Sequence, residues 1–355
     1  MDIGCRESCI QLFIVIVLIV IVCAFLPNGI WRIANYDADV LAVQCSQPSV
    51  VLTQLRGEDI ALFVVSEGVG PDHHLVRLVD NLVICINQNA KDAGQIALMT
   101  DHIADLHFNG DTQCFPRWLP GEQTKGAEGS LDFGESKEMP SGFSQDALPH
   151  FQAAYPGKPI TEDDLFYYIY GILHSEDYRT GYANNLMKEL PRIPRVATYE
   201  QFMAFVEAGQ ELARLHVHFE DVAPYAGVKI EYTKVGQPSY RVTQMKWGKI
   251  KGKTGNAAKD KTTLIYNDWI TVKNIPLEAQ EYVVNKKSAL DWVVERACVS
   301  IDKASGIVND FNDYAAEMGS ERYPLDLFLK IITVSLETMK IVKTLPKLEI
   351  HPLDK

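Results

Sequence analysis

The sequence predicts an α+β protein: a helical, bundle-like scaffold carrying a small antiparallel β-sheet, preceded by a short β-rich segment and an N-terminal hydrophobic helix. Three observations carry this reading. Apolar residues recur at helical spacing behind recognisable caps between Thr161 and His218 and again between Ser288 and Leu345. Between Pro224 and about Ile275 the texture changes to short β-type runs. A run of 17 residues, Ile10 to Leu26, is apolar except at Gln11.

Four stretches follow from these textures. Residues 1–30 form the hydrophobic N-terminal segment, whose 17-residue run Ile10 to Leu26 is at the short end of what spans a bilayer. It reads as a membrane anchor or as a start foreign to the ancestral domain. Its leader has one arginine against Asp2 and Glu7, which disfavours a cleaved signal. Residues 31–119 are β-rich, with VVLTQ, IALFVV and NLVICIN as strands. Residues 120–159, rich in Gly, Pro, Ser and acidic residues, read as a loop or linker. Residues 160–348 form the main domain.

In that domain Thr161-Glu-Asp-Asp164 is a capping-box start for a helix ending near His174. Ser175 caps a second helix, EDYRTGYANNLMKEL, that ends before Pro191. A third runs from Tyr199 to His218, with Phe202, Phe205, Val206, Leu212, Ala213, His216 and Phe219 on one stripe. The segments VKIEYTKV, SYRVTQMKWGKIK and TTLIYNDWITVKNI form the sheet. Ser288 then caps ALDWVVERACV, a turn-rich SGIVNDFNDY follows, and Pro324 opens a long amphipathic helix to about Leu345.

The chain is acidic, with a net charge of −12, yet between Lys229 and Lys261 nine basic residues face two acidic ones. Such a local stripe, rather than net charge, is the electrostatic footprint of a polyanion partner. Its densest part is MKWGKIKGKTGNAAKDKTT, from Met245, which joins the last two strand segments. The Gly252-Lys253-Thr254 within it is no nucleotide loop: three residues separate it from Gly248 where four are required, and strand follows strand. A basic hairpin is either a solvated tip or a nucleic-acid ribbon. One-signed charge interleaved with Arg241, Gln244, Trp247, Asn256 and Asn267 favours the second, and a two-stranded ribbon fits the DNA major groove.

Other chemistry is not signalled. The nine histidines show no metal-ligand spacing, and the seven cysteines are scattered without a CxxC pair, which points to a reduced, cytoplasmic protein. No G-x-S-x-G elbow or calcium loop is present; Val308-Asn-Asp-Phe-Asn-Asp313 suits Asx-turn chemistry. The sequence implies no cofactor, no metal and no catalytic residue. The alternative reading is a membrane-anchored interaction protein whose basic hairpin meets anionic lipid or a protein.

Several collinear segments carry a family resemblance. ITEDDLFYYIYGILHSEDYRTGYANNLMKELPRIP (160–194), AGQELARLH (208–216), IYNDWITVKNIPLEAQEYVVNKKSALDWVVER (265–296), SGIVNDFND (305–313) and LKIITVSLETMKIVKTLP (329–346) resemble the C-terminal specificity domain of type ISP restriction-modification enzymes. NLVICINQNAKDAGQIALMTDHIADLHFNGDTQCFP (81–116) agrees upstream. YIYGILHS followed by YR is also similar to recognition domains of other adenine methyltransferases.

In that family one long chain joins a nuclease, a helicase-like ATPase, an N6-adenine methyltransferase and this target recognition domain, in phage defence. The resemblance implies sequence-specific binding of double-stranded DNA. This sequence has no [DN]-P-P-Y motif, S-adenosylmethionine loop, Walker box or nuclease cluster. It therefore reads as a recognition module detached from its engine, a split subunit or a remnant, with a separate methyltransferase, helicase or nuclease subunit as a further partner. On physical grounds Lys246, Lys249, Lys251, Lys253, Lys259 and Lys261 are expected to meet phosphates, and Arg241, Gln244, Asn256 and Asn267 to read bases. Tyr178, Arg179, Asn309 and Asp310 are expected to serve the scaffold.

Overall fold

The computed structural model describes residues 81–87, 97–102, 104, 108, 112–119, 140–250, 258–303 and 305–351, together with two short paired strands, β1 (Leu52–Gln54) and β2 (Ile60–Leu62). The apolar run 10–26 lies outside the described residues. Among those described, no helix is long and apolar enough to cross a membrane.

Two hydrophobic cores share a central partition. Strands β3 (Val83–Asn87), β4 (Ala97–Thr100) and β5 (Thr112–Pro116) form an antiparallel sheet in the order β4-β3-β5. Val83, Cys85 and Leu98 point into one core, while Ile84, Ile86, Ala97 and Met99 point into the other. A strand buried on both faces needs apolar residues at every position, which is why VICI shows no polar alternation.

The helical core contains α1 (Ala147–Ala154), α2 (Glu162–His174), α3 (Glu176–Gly181), α4 (Ala183–Leu186) and α5 (Tyr199–Val217). Helix α1 lies within 120–159, where the sequence shows no apolar period and suggests only loop. The expected capping box is present: the Asp164 amide donates to Thr161 Oγ1 at 3.1 Å and the Thr161 amide to Asp164 Oδ2 at 2.9 Å. Thr198 and Gln201 repeat the device on α5. The single helix expected over 176–190 is instead two short ones, interrupted at Tyr182. Tyr178 is buried there and donates to Arg192 O at 2.9 Å, while Tyr168 and Tyr155 donate to Pro194 O at 2.6 Å and Val196 O at 2.7 Å. Three tyrosine hydroxyls thus satisfy the carbonyls of a proline-interrupted strap.

Helices α2 and α5 approach backbone to backbone. A Cβ added to Gly209 would lie 1.9 Å from Tyr167 O, and one added to Gly171 would lie 2.3 Å from Phe205 O. Around this contact Tyr168 and Phe202 stack at 4.6 Å.

The second core is built by a four-stranded antiparallel sheet, β6 (Lys229–Tyr232), β7 (Lys246–Ile250), β8 (Ala258–Ile265) and β9 (Ile270–Lys273), in the order β6-β9-β8-β7. TTLIYNDWITVKNI, read as one strand segment, is two, because Asn267 turns the chain. The sheet packs with α6 (Ala289–Arg296), preceded by the hairpin β10 (Val283–Val284) and β11 (Lys287–Ser288). The turn-rich 305–314 stretch yields β13 (Val308–Asp310), paired with β12 (Val299–Ile301), and opens α7 (Phe311–Glu317) with Asp310 as its cap. Helix α8 (Tyr323–Thr344) closes both cores: Leu325, Phe328 and Ile332 enter the sheet core, Ile341 and Val342 the helical one.

Candidate nucleic-acid interface on a basic ribbon

Strands β7 and β8 form a ribbon that leaves the sheet. Near its base Lys246 pairs with Ile265 and Trp247 with Leu264; Gly248 then pairs with Asp260, so residues 261–263 bulge from β8. Gly248 suits this break, where a Cβ would lie a tight 3.1 Å from Thr263 Cβ and 3.2 Å from Asp260 Cβ. Asp260 closes the bulge, accepting from the Thr262 amide at 3.0 Å and its hydroxyl at 2.6 Å, bonds that hold its carboxyl below the usual range.

Beyond the bulge Lys249 stands directly opposite Lys259, and Ile250 opposite Ala258; all four are exposed. Like charges across an antiparallel pair are unfavourable. Lys246 and Gln244 are exposed on the approach to the ribbon. The side chains of Gln244, Lys246, Lys249 and Lys259 have no ion-pair or hydrogen-bond partner among the described residues. Lys251, Lys253 and Asn256 fall in 251–257, outside those residues.

The remaining candidates are held internally. Asn267 spends its whole amide on the β8–β9 turn: Nδ2 donates to Ser239 O at 2.8 Å and Arg241 O at 3.0 Å, and Oδ1 accepts from the amides of Trp269 and Ile270, both at 2.8 Å. Lys261 pairs with Asp291 of α6 and lies 4.5 Å above the centre of the Trp247 ring. Arg241 is 58% exposed but forms an ion pair with Asp310. Burial pushes the Asp310 carboxyl up, and the hydrogen bonds from Asn312 and Arg241 outweigh it and hold the group low. The scaffold reading of Asp310 and Tyr178 agrees with these contacts.

Sequence inspection missed the residues that seat the ribbon. Asn312 imitates a strand, accepting from the Val242 amide at 2.8 Å and donating to its carbonyl at 2.7 Å. Asp291 accepts from Trp247 Nε1 at 2.8 Å. Gln244, Trp247, Lys259, Lys287, Asp291 and Glu295 line a cavity of about 320 Å³ between the ribbon and α6. In sequence Asp291 looks like an ordinary helix-capping acid, three residues after Ser288; only the tertiary fold brings it to the ribbon.

The described fold thus defines a class: an α+β domain that displays a basic two-stranded arm on a rigid helical body. The family model of the Type ISP C-terminal specificity domain matches residues 71–327, and the chain belongs to that family. The resemblance read from the sequence is borne out. Among solved structures the chain is 33% identical to the Type ISP restriction-modification enzyme LlaGI, a nuclease-deletion mutant in complex with a DNA substrate mimic, over 77% of this chain and 22% of that one, with a TM-score of 0.58. It is 30% identical to the ATP-dependent Type ISP enzyme LlaBIII bound to DNA, over 76% of this chain and 16% of that one, at a TM-score of 0.63. A DrdV–DNA complex is 28% identical over 76% and 25% respectively, at 0.61. The chain therefore spans a quarter or less of the length of these proteins. No curated protein sequence matches it significantly.

Proposed function

We propose that this chain recognises a specific double-stranded DNA sequence, as the specificity module of a restriction-modification system. The observation that carries the reading is the exposed Lys249–Lys259 pair. Two lysines directly opposite each other in an exposed strand pair are unfavourable for the ribbon alone, and a phosphate backbone would supply the counter-charge. Family membership and relatives solved with DNA or a DNA mimic support the same conclusion.

Within this reading Lys246, Lys249 and Lys259 meet phosphates, and the sequence adds Lys251 and Lys253 between them to the same role. Gln244, exposed and without a side-chain partner among the described residues, is suited to a base edge, the sequence offers Asn256 for the same role, and Arg241 reaches bases only by leaving Asp310. Lys261 and Asn267 act through the shape of the arm. The test is a salt titration of the chain on a random-sequence duplex pool. We expect log K to fall linearly with log salt, with a slope of about −0.9 for each phosphate neutralised. Selection from the pool should then enrich one sequence. Binding without salt dependence, or no binding to any pool, would sink the proposal.

A further inference from the structure

We propose that Asp291 is the positioning residue that fixes the basic ribbon on the helical body, so that duplex affinity depends on a carboxylate that does not touch the nucleic acid. The inference rests on the DNA reading above and deepens it.

Asp291 is the third residue of α6, whose start is capped by Ser288: the Asp291 amide donates to Ser288 Oγ at 3.1 Å. In a reciprocal capping box the acid at this position would return to the backbone of the cap. Here Oδ2 accepts from the Ser288 hydroxyl at 3.1 Å, while Oδ1 turns to the ribbon. That one oxygen accepts from Trp247 Nε1 at 2.8 Å and from the Lys261 ammonium. The two donors belong to different strands, Trp247 to β7 and Lys261 to β8, and both flank the register break. On the sheet side of the break the ribbon is anchored: Trp247 is buried and meets Phe328 of α8 edge-on at 6.1 Å. On the far side, among the described residues, Gly248 pairs with Asp260 and the exposed pairs Lys249–Lys259 and Ile250–Ala258 follow.

The clamp therefore sits where a packed sheet becomes a free arm. Its geometry favours a hinge lock over a surface ion pair, because a surface pair would join one strand to the helix and leave the bulge free to bend. Lys261 is held three ways, by the carboxylate, by the Trp247 face and by the bulge that contains it. The Asp291 carboxyl is pushed up by burial, but the Lys261 and Trp247 hydrogen bonds outweigh this and keep it ionised. Orientation costs then explain the functional link: an arm free to pivot must be ordered again each time it docks on a duplex, which lowers affinity without removing a contact.

The experiment uses the full chain and two readouts. Hydrogen exchange is measured at the amides of 246–250 and 258–261, and duplex binding is measured as a function of salt. For Asp291→Ala we expect exchange in these amides to rise about tenfold while α2 and α5 stay unchanged. Affinity should fall about tenfold with the salt slope kept, since the number of lysine–phosphate contacts is the same. Asp291→Asn, which can still accept from Trp247 but loses the charge facing Lys261, should fall between. Should the alanine variant fold poorly, Lys261→Met carries the same expectation and should also leave the slope unchanged. Wild-type exchange in the ribbon of these variants would overturn the clamp. Faster exchange with unchanged or tighter binding would overturn its role in affinity and leave Asp291 as a mere repulsive charge. If the wild-type chain binds no duplex, the DNA reading fails and takes the affinity half with it, while faster ribbon exchange in the variants would still uphold the lock.

Discussion

The α2–α5 helix pair and the β7–β8 ribbon are opposite solutions to the use of chain. In the helix pair two glycines bring backbones into contact, stacked aromatics fill the flanks, and buried tyrosine hydroxyls find carbonyl acceptors. In the ribbon a bulge breaks the register, an isoleucine is left in water and two lysines face each other. Local choices in the first region agree with one another; in the second they conflict. Such conflict is stable only because the helical body supplies the stability, and it marks where the chain meets something outside itself.

The largest break of this comparison should come from Gly209→Ala. The new methyl would overlap Tyr167 O, which belongs to a helix backbone and cannot swing aside. Overpacking of this kind costs about 3 kcal/mol. Urea denaturation should show that loss, while duplex affinity per folded molecule is unchanged. A cost below about 1 kcal/mol would mean the helices slide apart freely.

A second prediction comes from the histidines between the cores. The Tyr170 hydroxyl and His216 Nδ1 lie 2.6 Å apart, His216 Nε2 lies 3.1 Å from Thr338 Oγ1, and His174 Nδ1 donates to Tyr170 O at 2.8 Å. Burial, opposed by the bond to Tyr170, lowers the His174 pKa from 6.5 to about 4; burial and the neighbouring His174 lower that of His216 as well. Both rings are neutral when folded and take up protons on unfolding. The His174 contribution is complete above pH 6.5 and is lost as pH falls toward 4, by up to about 1.4 kcal/mol per pH unit, and His216 acts in the same direction. Urea midpoints at pH 7, 6 and 5 should fall accordingly, and His216→Gln should flatten the trend. The ribbon has no histidine, so its hydrogen exchange relative to the body should not follow this curve.

Much of the helical body was legible because it obeys local rules. The caps at Thr161, Ser175 and Ser288 act through backbone amides three residues away, so their spacing shows in the sequence. Helix α1 was not legible, being eight residues long with only Phe151 and Ala154 buried. The break at Tyr182 was also hidden, since nothing in YRTGYANN disfavours a continuous helix strongly enough. At the site, charge density marked the ribbon, but the sequence could not separate free lysines from committed ones. Lys261 and Lys259 are two residues apart, and tertiary contacts with Asp291 and the Trp247 ring distinguish them. Asn267 looked like a reader because its partners, Ser239 and Arg241, are more than twenty residues away.

That distinction gives a smaller prediction. Asn267→Ala removes four hydrogen bonds from the turn that joins β8 to β9. Water reaches part of this site, so the expected loss is about 2 kcal/mol rather than the sum of the bonds. The selected DNA sequence and the salt slope should stay as they are. A changed sequence preference would show that Asn267 leaves the turn to read a base.

The smallest effect on stability, and the most telling, is expected at Lys249 and Lys259. Alanine at either position relieves a like-charge pair in an exposed strand, which should raise stability by about 0.3 kcal/mol. The same change removes one phosphate contact, so the slope of log K against log salt should shrink by about 0.9 and binding should weaken on every duplex in the pool. Elsewhere in the fold stability and binding are expected to fall together or to move separately; only here should one rise as the other falls. If stability falls as well, the two lysines contribute to the ribbon in a way that direct opposition of charge does not describe; if binding and its salt slope stay unchanged, the phosphate contacts lie on another face of the domain.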